Sequence, residues 1–223
     1  MLKRRINEYG QGIRGTSLSN GLVSWYGLNG TTEDSTSNTN PSVIGDITYT
    51  QDLGRKVGYF NGYSCIDTNT SNFGLSTGSN ITLSCFVKFT DISLADQGLI
   101  HQYNGDWDMV GIQKSGEGFM FSNKKRLNQI VKYSYDTGVW YNITSICSGY
   151  NLKTYINNKL EKSNSIGYYG MEFGSGKFYV GGFWSINESR RLRGYLSSAG
   201  VWNRALDSSE IETLYNNGLG LIY

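Results

Sequence analysis

The sequence predicts an all-β domain, a sandwich or barrel, closed by one short helix near its C-terminus. Three observations predict it. Hydrophobic and polar residues alternate with period two over many short runs, turn signals recur between those runs, and the composition favours strands and turns. Only 17% of the 223 residues are charged, against about 25% in an ordinary globular protein. Asn, Ser, Thr, Gly and Tyr take their place, and these types suit turns and strands better than helices. The length fits a single large β domain.

Along the chain, residues 1–20 stand apart. Lys3, Arg4, Arg5 and Arg14 face only Glu8, and Gly10, Gly12, Gly15, Thr16, Ser17 and Ser19 leave no strand or helix period. This segment is expected to be a basic arm, flexible or ordered by a partner, in front of a domain at 21–223. It has no apolar run behind its basic residues, so no secretory signal is read there.

Alternation then marks strands around 22–28, 57–60, 81–89, 98–102, 109–113, 129–135, 139–144, 152–156, 178–181 and 196–202. Ile81, Leu83, Cys85, Val87 and Phe89 give the clearest case. Asn61-Gly62, Asn104-Gly105, Ser115-Gly116, Asn157-Asn158 and Gly174-Ser175-Gly176 punctuate the runs. The hydrophobe-free stretch 31–40 reads as a surface loop. The helix is written in its ends: Asp207 as N-cap, Glu210 completing a capping box, Leu206 stapling onto Ile211, and Gly218 as the stop. Cys65, Cys85 and Cys147 match neither a zinc nor a redox spacing and are expected to be buried free thiols.

Bulk properties exclude some functions. A net charge of +2 makes no field that would draw nucleic acid, and no apolar window is long enough for a membrane span.

Six motifs in order carry a resemblance. They are Gly21-Leu22-Val23-Ser24-Trp25-Tyr26-Gly27-Leu28-Asn29-Gly30, Asp34-Ser35-Thr36-Ser37-Asn38, the run 81–88, Trp140-Tyr141-Asn142-Ile143-Thr144, the run 152–160, and 194–206 ending in Trp202-Asn203-Arg204-Ala205-Leu206. Together they resemble the laminin-G-like branch of the concanavalin-A-like lectin and glucanase superfamily, over about residues 21–218. The resemblance implies a two-sheet antiparallel jelly roll, with ligands met on the concave face or at the loop rim. It also implies a structural calcium at the first loop, with Asp34 among its ligands. Two departures bear on that ion: Ser37 stands where many relatives carry glycine, and Ser197 and Ser198 stand where relatives tend to carry an acid.

Catalysis in the glucanase branch uses a Glu-x-Asp-x-Glu or similar run on one strand, because hydrolysis needs two carboxylates flanking the scissile bond. This sequence has none, and its one histidine, His101, has no evident partner in the sequence for nucleophilic catalysis. The chain is therefore expected not to be an enzyme. Sugar binding needs flat aromatic faces with polar groups at their edge. Tyr103, Asn104, Asp106 and Trp107 offer that mixture, as do Tyr168, Tyr169 and Trp184.

An extracellular type of domain behind a basic arm, with no secretory signal, points to a bacteriophage virion-surface protein. It would be a capsid decoration, head fibre or tail-associated protein that docks onto capsid or tail proteins through residues 1–20. Display as a homo-oligomer or multivalent array would strengthen weak glycan binding. The alternatives are a secreted or cell-surface bacterial carbohydrate-binding domain and a purely structural docking unit.

Overall fold

The computed structural model describes residues 13, 16–103, 110–122, 129–165, 171–182 and 190–221. Its strands are β1 (Leu22–Tyr26), β2 (Ser42–Ile44), β3 (Ile47–Asp52), β4 (Arg55–Asn61), β5 (Cys65–Asp67), β6 (Ile81–Phe89), β7 (Gln97–Tyr103), β8 (Val110–Ser115), β9 (Gly118–Ser122), β10 (Gln129–Lys132), β11 (Trp140–Ser148), β12 (Asn151–Ile156), β13 (Lys159–Ser165), β14 (Lys177–Val180) and β15 (Arg193–Trp202). One helix, α1 (Ser208–Tyr215), follows.

The strands form two antiparallel sheets. One runs β13-β12-β11-β6-β15-β4-β3, with β1 also paired to β15, and the other runs β10-β9-β8-β7-β14-β5-β2. β15 is the hub. One of its edges pairs with β6 from Gly194 to Trp202. Its other edge is shared by β4, opposite Arg193 to Leu196, and β1, opposite Ala199 to Trp202. Between the sheets lies the main core, in which Leu83, Cys85, Val87, Phe89, Ile143 and Leu196 of one sheet meet Ile66, Ile100, Ile112, Phe121, Phe178 and Val180 of the other. Cys65, Cys85 and Cys147 are buried free thiols, and burial pushes the Cys147 thiol up to about 12.

A second apolar cluster sits on the outer face of the β15 sheet. The period of two puts Trp25, Ile146 and Trp202 there, because their neighbours Tyr26, Cys147 and Val201 belong to the main core. Leu206, Ile211 and Leu214 from α1 and its approach cover them, and so do Ile13 and Leu18. Trp25 and Trp202 meet edge to face at 6.0 Å across Gly200, where an added Cβ would lie 2.7 Å from both rings.

The expected arm boundary is therefore corrected. Residues 16–20 form part of the fold: Ser17–Ser19 make a 3-10 turn with Leu18 fully buried, and Ile13 is fully buried as well. Trp202 Nε1 donates to the Leu18 carbonyl at 2.8 Å, and Arg204 donates to the carbonyls of Ser17 and Asn20. Two apolar side chains lodged against the tryptophan pair leave this part no freedom to serve as a loose tether.

Helix α1 begins as expected, with both halves of the Asp207–Glu210 capping box formed. It ends at Asn216, which takes the left-handed conformation, rather than at Gly218. Five strands escaped the alternation signal: β2, β3, β5, β9 and β13. β13 shows why. It is a sheet edge whose seven residues are nearly all exposed, so no apolar face is required of it. Among the described residues no helix is long and apolar enough to cross a membrane.

Candidate functional site

An open concavity lies at the rim of the seven-stranded sheet. The β8–β9 turn brings Gly116 and Glu117 beside the chain leaving β10, and Tyr133 N–H donates to the Glu117 carbonyl at 3.2 Å. This approach depends on Gly118. At φ +148° an added Cβ there would stand 2.0 Å from the Val131 carbonyl oxygen, so only glycine lets the two segments close. The result is a groove of about 550 Å³ lined by Ile92, Gly116, Glu117, Lys132, Tyr133, Ser134 and Tyr135.

Each wall has a physical support. Tyr135 packs on Phe119 at 5.3 Å and on Phe89 at 5.8 Å, and its hydroxyl donates to the Ser115 carbonyl at 2.8 Å. Tyr133 meets Tyr141 edge to face at 6.0 Å. The buried Lys114 ammonium lies 5.4 Å from the Tyr135 ring centroid and donates to the Leu94 and Ala95 carbonyls. Burial holds the Lys114 ammonium below its ordinary range and raises both tyrosine hydroxyls, so both phenols stay protonated at neutral pH. At the mouth, Glu117 and Lys132 form an exposed ion pair at 3.3 Å. Two half-buried rings beside a carboxylate, an ammonium and a serine hydroxyl can stack a sugar ring and bond its hydroxyls.

Of the aromatic positions expected to meet ligand, Tyr103 is described. It ends β7 opposite Lys177. The β8–β9 turn lies at the other end of that sheet, next to Gln97, which pairs with Lys114. Tyr103 and the groove are thus about 20 Å apart along the strand at about 3.4 Å per residue. Asn104, Asp106, Trp107, Tyr168, Tyr169 and Trp184 lie outside the described residues. Tyr133 and Tyr135 escaped notice because their alternation reads as the end of a strand. The one local signal was a Tyr-x-Tyr step following a Gly-Glu-Gly turn.

Asp34 is buried, and donors fill its carboxylate. One oxygen accepts from the N–H groups of Trp25 and Thr36 and the Thr36 hydroxyl, at 2.8 to 3.0 Å. The other accepts from the Thr39 N–H and hydroxyl at 3.0 and 2.9 Å. These neighbours do not fit a calcium ion, which needs six to eight oxygens facing it. Among the described residues no three His, Cys, Asp or Glu side chains group as metal ligands. Asp34 pins the 34–39 loop onto β1.

His101 is fully buried on the face of β7 opposite the core, in register with Tyr179 and Gly111. Burial, together with the nearby Arg190 charge, pushes its imidazole down to about 3, so it stays neutral at physiological pH.

Two antiparallel sheets over one core, with a C-terminal helix on the back of the larger, define a lectin-type jelly-roll sandwich. A laminin-G-type family model described as the concanavalin A-like lectin/glucanases superfamily matches residues 60–212, and the chain belongs to that superfamily. No curated protein matches the chain. Among solved structures it is similar to domain 4 of AbnA, a GH43 extracellular arabinanase from Geobacillus stearothermophilus, in complex with arabinotriose. The TM-score is 0.73 at 18% identity, over 86% of this chain and 96% of that one. A Trypanosoma rangeli sialidase variant displaying trans-sialidase activity matches with TM-score 0.70 at 15% identity, over 98% of this chain but 38% of that one. A structure of botulinum neurotoxin type C, whose cell entry depends on interaction with two ganglioside molecules, matches with TM-score 0.68 at 15% identity, over 92% of this chain and 53% of that one.

The expectation that the chain is not an enzyme is corrected by these matches. The fold recurs within glycosidase chains, an arabinanase and a sialidase, so the missing Glu-x-Asp-x-Glu run does not exclude catalysis.

Proposed function

We propose that this domain binds glycans through the rim groove between the β8–β9 turn and residues 133–135. The observation that carries the reading is the placement of Tyr133 and Tyr135 beside Glu117, Lys132 and Ser134 in one open concavity. The arabinotriose complex of the arabinanase domain and the ganglioside dependence of the neurotoxin support it as precedents for the fold. The setting proposed is a virion surface, supported by a composition poor in charge and proline and rich in Gly and Tyr; there, multivalent display would raise avidity. Mass spectrometry and immunogold labelling of purified particles test that setting.

A glycan array, followed by titration of the hits, tests the binding. The expected result is a coherent group of glycans whose affinity falls about tenfold or more in Tyr133→Ala, the loss of one stacking face being worth over 1 kcal/mol. Tyr150→Ala, at an exposed tyrosine elsewhere, should leave binding unchanged. Loss in Tyr103→Ala with Tyr133→Ala unaffected would move the site to the opposite rim, and no binding by a multivalent array would overturn the reading.

A further inference from the structure

A separate cavity of about 440 Å³ lies where the β3–β4 hairpin tip leans over the outer face of the larger sheet towards the C-terminal segment. The hairpin turns at Leu53 and Gly54, both with positive φ. Its tip is held down at Asp52, which accepts from Trp140 Nε1 at 3.2 Å and pairs with Lys88. Arg55 is held from the other side: its Nη2 donates to Ser197 Oγ at 2.9 Å and to the Leu219 carbonyl at 2.7 Å. Ser197 sits at the β15 bulge, which is what brings its hydroxyl out to the arginine.

The lining chemistry is one-sided. Arg55 and Lys56 supply two cations, Asn29, Gln51 and Asn216 supply amides, and among the described residues no carboxylate lines the cavity. Asp52, the acid next to it, is already engaged by Lys88, Trp140 and the Leu53 N–H. Among the described residues neither Arg55 nor Lys56 has an ion-pair partner, and Arg55 Nε is buried with no acceptor at all. An unsatisfied buried guanidinium N–H is costly, and an oxyanion is the acceptor that suits a guanidinium edge. Burial holds the Arg55 guanidinium down at about 10, below its ordinary range, against the opposing pull of the Asp52 carboxylate. Among the described residues the apolar side chains in the lining are Leu53 and Leu219, so these walls offer hydrogen bonds rather than an aromatic slot. The volume suits one or two sugar rings.

We propose that this cavity is a binding site for an acidic saccharide, its carboxylate or sulfate oxygens taken by the Arg55 guanidinium and Lys56 Nζ and its hydroxyls by the surrounding amides. The site shares no residue with the rim groove and does not depend on it.

Isothermal titration of the full chain with digalacturonate, a sulfated disaccharide, inorganic sulfate and a neutral disaccharide tests the site. One or both acidic sugars should bind at least tenfold more tightly than the neutral one, and which of them does so tells carboxylate from sulfate. Affinity should fall as salt rises. Lys56→Glu, at an exposed position, should weaken acidic-sugar binding at least tenfold with the melting temperature unchanged, whereas Lys153→Glu should not. Equal binding of neutral and acidic sugars, unaltered affinity in Lys56→Glu, or inorganic sulfate binding as tightly as the sugars would overturn the proposal. Loss of neutral-glycan binding in Tyr133→Ala alone reports on the groove, so the two sites fail separately.

Discussion

Asp34 shows what a single buried side chain can hold. Five N–H and O–H donors converge on its two oxygens, so Asp34→Ala strands the Trp25, Thr36 and Thr39 N–H groups beneath the loop. We expect a loss of about 3 kcal/mol or more by chemical denaturation. Asp34→Asn should do little better, because its NH2 would face donors. Because those donors occupy the lone pairs a cation would need, chelator should leave the melting temperature of the wild type unchanged; a clear fall on chelation would instead restore the calcium assignment. His101 gives a pH prediction. Its native pKa is about 3 against an ordinary 6.5, so between these values the unfolded chain takes up a proton that the native state refuses. The stability this contributes is fully present above pH 6.5 and is lost as pH falls towards 3. Replacing the histidine with phenylalanine should flatten the melting temperature against pH across that window. An unchanged slope would mean that the histidine is protonated inside the fold.

Helix α1, Ile13 and residues 16–20 act together as one cover over the outer face of the larger sheet. Arg204 is their clasp. It forms a bidentate pair with Glu210 at 2.6 Å while donating to Ser17 and Asn20, and it holds the Glu210 carboxyl below its usual range. Leu18→Ala should cost about 2–5 kcal/mol, as for other buried leucines. Deleting residues 1–20 should lower the melting temperature at least as much, because Ile13 and Leu18 leave together. A truncation at 21 with unchanged stability would contradict this packing. Sequence legibility differs sharply between the two parts of the cover. The start of α1 was plain because a capping box is local chemistry, four residues long. The burial of Ile13 and Leu18 was not, because it depends on Trp25 and Trp202, which the sheet brings together from opposite ends of the chain across Gly200.

At the scale of the whole molecule, the same contrast explains what the sequence concealed. Alternation revealed strands that set apolar residues on the core face against mostly polar ones on the other, such as β6 and β11, and missed edge strands such as β13 whose residues are nearly all exposed. The groove and the Arg55 cavity were invisible for a related reason: each is assembled from segments far apart in sequence, Ile92 with Tyr133 and Lys56 with Asn216. The sheet order has a consequence for folding. β15, the last strand, joins β6 to both β4 and β1, so the larger sheet has no continuous centre until residues 193–202 arrive. A transition state built on such distant pairings carries a large loop-closure cost, and refolding should take milliseconds to seconds rather than microseconds. Stopped-flow fluorescence can follow it, because Trp25 and Trp202 become buried only when β1, β15 and α1 are in place. A chain ending at residue 192 should lack a cooperative thermal transition by circular dichroism. It would leave β6, β4 and β1 with unpaired edges, the main core open at Leu196, Ala199 and Val201, and the tryptophan cluster without Trp202 or α1. A sharp two-state transition in that fragment would show that the β11–β12–β13 end of the sheet nucleates independently, and that β15 completes the fold without being required for it.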